Sequence, residues 1–286
     1  MSAFLSYLLN GISAGCGFAL VASGLIIIYR VTRVVNLAQG MFAVVAGFTA
    51  SSLLGAGWPH GVAEIAAILV AAAAGLFSGV VAIGKRGTSP EAALIATLGV
   101  GIFGYALEIL VWGDQPRSFS GLLGVFPWGG LDLPKQYALV ILVTVVVFGL
   151  LEFFLERTFM GKALSACASN RYAASLIGIS VVRMGLCGFT LGGALGGIAG
   201  VLLTPLRPIS YDSDVLLFVN GFAAAILAGL RRPVLALGGG VVLGVAEAMV
   251  AGYAKASYQS SLALLLALVI LVAQAARRPA LQGAES

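Results

Sequence analysis

Long apolar runs, broken by short polar stretches, recur along the whole chain. Runs near residues 4–28, 36–55, 62–83, 90–112, 136–155, 184–204, 214–230, 234–252 and 259–276 are continuously apolar. None alternates with period two, so each predicts a helix rather than a strand. Most approach or exceed the roughly 20 residues that carry a helix across a hydrocarbon core. The pattern predicts an all-α, polytopic membrane protein with about nine spans, within a range of eight to ten. A re-entrant segment within 205–234, where the runs are short and the turn at Arg231 is tight, would give eight. Residues 1–286 read as one transmembrane domain with no soluble module attached.

The polar punctuation predicts orientation. With the amino terminus outside, Arg30, Arg33, Lys85, Arg86, Arg157, Lys162, Arg171, Arg183, Arg231, Arg232, Arg277 and Arg278 fall inside, and only Arg117, Lys135, Arg207 and Lys255 outside. That asymmetry matches the excess of Lys and Arg in cytoplasmic loops, and inverting the chain would reverse it. The expected topology is therefore amino terminus out and carboxyl terminus in. An external loop at about 113–135 follows Trp112 and holds Pro116, Phe126, Pro127, Trp128 and Pro134, which predicts a short ordered cap with aromatic anchors. A long internal loop spans about 156–183.

Composition agrees with a lipid solvent: the chain is 60% hydrophobic and 9% charged, with mean hydropathy +1.06, against roughly 25% charged residues in soluble domains. The pI near 9.3 reflects loop residues without a basic face, so no nucleic-acid partner is expected. Residues 3–29 lack a charged leading segment and read as the first helix rather than a cleaved signal.

Catalytic chemistry is absent from the pattern. The sequence has no H-E-x-x-H, no G-x-x-x-x-G-K-[ST] loop, and no nucleophile with a partnered base. Cys16, Cys167 and Cys187 have no metal-type spacing and are expected to be unpaired thiols. The lone His60, beside Pro59, suggests neither metal nor catalysis. Gly188, Gly192, Gly196 and Gly200 recur at every fourth position, with Gly193 and Gly197 beside them, which predicts a smooth face for close helix packing. Gly11 and Gly15, Gly75 and Gly79, and Gly240 and Gly244 repeat the spacing. Glu108, Glu247 and Glu152 lie toward helix ends, with Glu64 and Glu91 at helix starts; these carboxylates are expected to snorkel to water, the alternative being a polar lining of a translocation path. No carboxylate or histidine is expected near the midplane, which speaks against a stand-alone proton-driven carrier. Uncharged Asn36, Gln39 and Asn220 are the candidates for a translocation path; Asn220 reads equally as a helix-to-helix hydrogen bond.

The internal loop runs Gly161-Lys162-Ala163-Leu164-Ser165-Ala166-Cys167-Ala168-Ser169-Asn170-Arg171-Tyr172-Ala173-Ala174-Ser175-Leu176-Ile177-Gly178-Ile179. Roughly fifteen residues rich in Ala and Leu predict a short helix whose small side chains let a partner sit close. The segment resembles the cytoplasmic motif of the branched-chain amino acid ABC transporter permeases, with Thr158, Gly161, Asn170, Arg171, Ala173, Ala174, Gly178 and Ile179 matching. Asn10-Gly11-Ile12-Ser13, Leu25-Ile26-Ile27-Ile28-Tyr29, Val35-Asn36-Leu37-Ala38-Gln39-Gly40, Ala96-Thr97-Leu98-Gly99 and 222–230 are similar to further segments of that family. Tyr172 stands where an acidic residue is common, and Arg231-Arg232-Pro233 replaces a usual Gly-Ser-x-Pro turn.

The resemblance implies an importer permease fold in the bacterial inner membrane and a role in moving amino acids or a related small polar or organic-acid solute by alternating access. It implies a second, similar permease (a relative rather than a second copy), two cytoplasmic ABC ATPases and an extracytoplasmic solute-binding protein. Gly161, Lys162, Ala163, Asn170, Arg171, Ala173, Ala174 and Gly178 become the ATPase-coupling residues. No cofactor or metal is expected on this chain, ATP and Mg being used by the partner ATPases. The alternatives are a stand-alone carrier or channel, and a membrane scaffold.

Overall fold

The computed structural model describes residues 2–84, 88–122, 124–128, 131–230 and 232–253, together with Leu265 and Val269. Along the chain these form α1 (Ser2–Thr32), α2 (Gln39–Gly55), α3 (Val62–Ile83), α4 (Pro90–Trp112), β1 (Val125–Trp128), β2 (Leu131–Pro134), α5 (Lys135–Arg157), α6 (Phe159–Ser169), α7 (Arg171–Leu176), α8 (Val181–Leu203), α9 (Ser213–Leu227) and α10 (Leu235–Tyr253). Six described helices, α1, α3, α4, α5, α8 and α10, are long and apolar enough to cross a membrane. Helices α2 and α9 are shorter: the 15 residues of α9 reach only about 22 Å, short of a roughly 30 Å hydrocarbon core. Apart from Leu265 and Val269, the ninth expected helix, at 259–276, lies outside the described residues.

Helix α1 is the axis of the bundle. Its apolar residues surround it on all sides, as in a helix enclosed by others, and 94% of its most apolar stretch is buried, against 22% for α4 and α5. It packs mainly on α10 and α8, then on α9 and α5. The α1–α10 contact runs antiparallel through glycines: a side chain at Gly11 would meet the backbone of Gly244 and Val245, and one at Gly15 that of Gly240 and Val241. Tyr7 and Tyr253 close this contact edge to face, centroids 5.6 Å apart.

Helix α8 carries two glycine stripes, which between them receive three neighbours. Gly188 and Gly192 lie against Ile27 and Ile28 of α1, while Gly196 and Gly200 lie against Phe42 and Ala43 of α2. Gly193 and Gly197 face Ala71 and Gly75 of α3. Backbones approach closely there because side chains are missing, and in lipid that van der Waals contact is a main source of helix association.

Two local departures from expectation have simple causes. The loop at 113–135 contains a two-stranded antiparallel ribbon, Val125 opposite Pro134 and Trp128 opposite Leu131; its signal was Gly129-Gly130 between two short runs, a hairpin pattern hidden among prolines and aromatics. After α9 the chain turns through Gly229 and Leu230, both at positive φ (69° and 55°), so the helix stops at Leu227 rather than near 230. The amide of Leu230 donates to the Ala225 carbonyl, closing the helix end.

Candidate functional site

Asn36 and Gln39 meet in the centre of the bundle. The Gln39 amide donates to the Gly192 carbonyl at 2.8 Å, and the Asn36 amide donates to Gln39 Oε1 at 3.3 Å. Asn36 Oδ1 accepts from the Ala38 amide at 3.2 Å. Both side chains are fully buried, and they tie the turn before α2 to the glycine face of α8. Gly24 of α1 makes room for the Gln39 amide. Gln39→Leu should lower the unfolding midpoint of the detergent-solubilised protein, since it leaves the buried Asn36 amide without its Gln39 acceptor and removes the second donor to the Gly192 carbonyl, a cost of about 1–3 kcal/mol. A thermal melt of the purified variant checks this.

Asn220 lies apart from that pair. It is buried on α9, where its amide donates to Glu247 Oε2 of α10 at 3.4 Å. Glu247 is therefore interior, and so is Glu108; both are at most 2% exposed. The expectation that these two glutamates snorkel to water is corrected here. Nearness to a helix end sets depth, but helix face decides exposure. In α4 the buried face runs Ala93, Thr97, Val100, Gly104 and Glu108 at helical spacing, and Glu108 continues that row toward α2. In α10 the row Gly240, Leu243, Gly244, Glu247 does the same. Periodicity of small residues was the available signal in both cases.

A further carboxylate enters the interior by an irregular route. After α8 the chain passes Pro205 and Pro208, and Ile209 pairs with Arg117 as an isolated antiparallel bridge. It then descends until Asp214, on the first turn of α9, lies against Gly40 of α2. Gly40 adjoins Gln39, which is bonded to Gly192, the middle residue of α8. Asp214 is thus near the middle of the bundle rather than at the outer end of a full-length span, where the apolar run alone would put it. The backbone touches Gly40 so closely that no side chain fits at that position. The expected absence of interior carboxylates does not hold, and the argument it supplied against a stand-alone carrier falls with it.

The loop at 156–183 folds as two helices where one was expected. Asn170 breaks the run with an extended backbone (φ −149°, ψ 107°), and its side chain accepts from the Ala173 amide to start α7. Thr158 starts α6 in the same way by accepting from the Gly161 amide. Both are strong helix-capping residue types, which the Ala- and Leu-rich content around them obscured. Gly178 closes α7 at φ 85°. Gly161, Ala163 and Ala174 face inward, while Lys162, Asn170, Ala173 and Gly178 are exposed and Arg171 is half-buried.

This two-helix unit sits on the end of α1. Leu164, Cys167 and Ala174 pack with Val31, and the Arg33 guanidinium donates to the Ala168 carbonyl at 3.3 Å. Burial and the charge of Arg33 push the Arg171 guanidinium down from its usual value. Burial pushes the Cys167 thiol up, with Arg171 drawing it partly back. Cys167 is fully buried, so it should resist alkylation by maleimide at neutral pH in the folded protein and react after denaturation, as followed by intact mass. The outward side of the unit is apolar: Tyr172, Leu176 and Ile177 are each 70–74% exposed, and Phe159 is 90% exposed.

Between α3, α5 and α8 lies a cleft of about 870 Å³. Its walls are largely aliphatic, with Ile65, Leu139, Val143 and Ile198, and its polar groups include Glu64, His60 and Gln136. His60 and Glu64 pair at 2.8 Å. Among the described residues no cluster of His, Cys, Asp and Glu could hold a metal ion, and Cys16, Cys167 and Cys187 are free thiols.

Comparisons with known proteins agree with the geometry. The chain is 28% identical to the high-affinity branched-chain amino acid transport system permease protein LivH of Escherichia coli (strain K12), over 94% of this chain and 93% of that protein. It is 30% identical to BraD of Pseudomonas aeruginosa, the corresponding high-affinity permease protein, over the same shares. The solved structure of PsaBC from Streptococcus pneumoniae in complex with Fab shares the fold, with a TM-score of 0.53 at 14% identity, covering 92% of this chain and 90% of that one. The family described as "Branched-chain amino acid transport system / permease component" matches residues 7–273. The chain belongs to that family and is a multi-pass membrane protein.

Proposed function

We propose that this chain forms the membrane path of an ATP-driven importer for an amino acid or a closely related small solute. The observation that carries the reading is the α6–α7 unit: a short, capped, outward-facing pair of helices on the end of the central helix, with Tyr172, Leu176 and Ile177 in the open. Large apolar side chains held out beside Arg171 and Lys162 suit a partner protein that carries acidic groups. In this reading the α6–α7 end faces the cytoplasm and the amino terminus faces out. Two ATPase subunits dock on this unit and its counterpart in a second, similar permease, and a solute-binding protein delivers from outside. ATP and Mg bind the ATPases, and this chain takes no part in hydrolysis.

Force reaches the bundle through a short route. Val31 and Arg33 join the α6–α7 unit to α1, and α1 packs against α8 and α10 through glycine-lined contacts. Smooth contacts of that kind let helices shift as rigid bodies between two packings. Movement of the docked ATPases is thereby transmitted to the centre, where Gln39 fastens α2 to α8.

The interior carboxylates favour one competing reading, a carrier driven by a cation gradient. Uptake separates the two. Liposomes holding the permease pair and ATPases, with the binding protein outside, should accumulate labelled L-leucine only with ATP inside. Accumulation by this chain alone on a proton or sodium gradient would replace the importer with the carrier.

A further inference from the structure

The surroundings of Glu108 contain an unfilled chemical requirement. Glu108 is fully buried, and neither of its carboxyl oxygens has a hydrogen-bond partner among the described residues. An ionised carboxylate there requires donors or a cation, while a neutral acid requires an acceptor for its hydroxyl. The described residues supply neither, and leaving such a group unpaired in an apolar interior is costly.

The groups around Glu108 define what would fit. Asp214 is within electrostatic reach of Glu108 and is itself buried. Tyr105, one turn below Glu108 on α4, meets Tyr211 edge to face with centroids 5.2 Å apart. Asp212, beside Tyr211, is exposed, although Asp214, two residues on, lies against Gly40 near the middle of the bundle. A carboxylate exposed at that depth does not face lipid; it faces water or a partner subunit. Arg117 is engaged elsewhere: its guanidinium donates to the Trp112 carbonyl at 2.9 Å and to Ser52. Among the described residues, Glu108, Asp212 and Asp214 form no ion pair.

We infer that Glu108 and Asp214, entered past Tyr105 and Tyr211, form a subsite for the ammonium group of the transported solute. The inference rests on the importer reading above and adds the chemistry of recognition to it. A primary ammonium brings three donors and a positive charge to Glu108, whose oxygens have no donor among the described residues, beside Asp214, whose Oδ1 already accepts from the Val215 amide. The two tyrosine rings favour the passage of an organic cation over that of an anion or an uncharged solute. Two carboxyls suffice to accept the donors of one organic ammonium.

Carbodiimide labelling of the assembled importer in native membrane vesicles tests this without a substitution. Dicyclohexylcarbodiimide enters lipid and modifies carboxyl groups in apolar surroundings, and peptide mass analysis reads Glu108 directly. The expected result is that Glu108 is labelled and that methylammonium or L-leucine slows its labelling several-fold, while the hydroxy-acid analogue of leucine does not. Equal rates with and without the ammonium compounds would overturn the inference. So would equal protection by the hydroxy acid, or a Glu108 that stays unmodified throughout turnover. If ATP drives no leucine uptake in the same vesicles but methylammonium still protects Glu108, the subsite stands and the choice of solute falls.

Discussion

Replacing Arg171 with Glu together with Gly178 with Leu is expected to stop uptake while the protein remains in the membrane and the ATPases continue to hydrolyse ATP. The two positions bracket α7, whose exposed face is the proposed docking surface. Gly178 holds φ 85°, a conformation that costs a side-chain-bearing residue about 1–2 kcal/mol; Leu there shifts the end of the handle. Glu at 171 reverses the charge offered to the partner. The fold itself tolerates that reversal, because an acidic residue suits the start of a helix and Arg33 lies close by. The loss therefore falls on the interface, where a central contact is worth about 2 kcal/mol or more, so uptake per ATP should drop by at least roughly tenfold. Uptake and phosphate release measured on the same vesicles check it, and unchanged uptake at normal expression would count against the assignment.

Gly200→Leu is expected to damage the bundle more than any polar substitution considered above. A side chain at 200 runs directly into the backbone of Ala43 on α2. Backbone cannot swing aside, so α2 and α8 must separate, and the contacts at Gly196 with Phe42 and at Gln39 with Gly192 open with them. Overpacking of this kind costs about 1–3 kcal/mol where side chains can yield, and more where they cannot. Gly99→Leu is the control: it replaces a glycine in α4 with nothing within 4 Å of the added atom. The first variant should lose the monodisperse peak in size exclusion after extraction, and the second should keep it.

These contrasts also show what the sequence could convey. Apolar runs located the described helices to within a few residues, because in lipid a span must satisfy its own backbone and therefore shows up as an uninterrupted stretch. Gly192, Gly196 and Gly200 were legible as a smooth face, yet which neighbours fill it, α1 at one end and α2 at the other, is a property of packing. Asn170 and Thr158 were visible as residues of the coupling motif, but their capping role was lost within an Ala- and Leu-rich run. Glu108 shows the limit most clearly. Its place along the chain suggests a helix end near water, and only its place on the row through Thr97 and Gly104 turns it inward. Asp214 was harder still, since a chain that enters the bundle through Pro205 and Pro208 leaves no periodic trace.

The most direct test of the account is photo-crosslinking from α7 in native membranes. A benzophenone amino acid placed at Ile177, an exposed position, should yield on irradiation a single covalent adduct with the partner ATPase subunit, and the yield should change when ATP is added. Reaction only with lipid or water, or with proteins from the opposite side of the membrane, would contradict the claim that this unit is where the motor grips the permease.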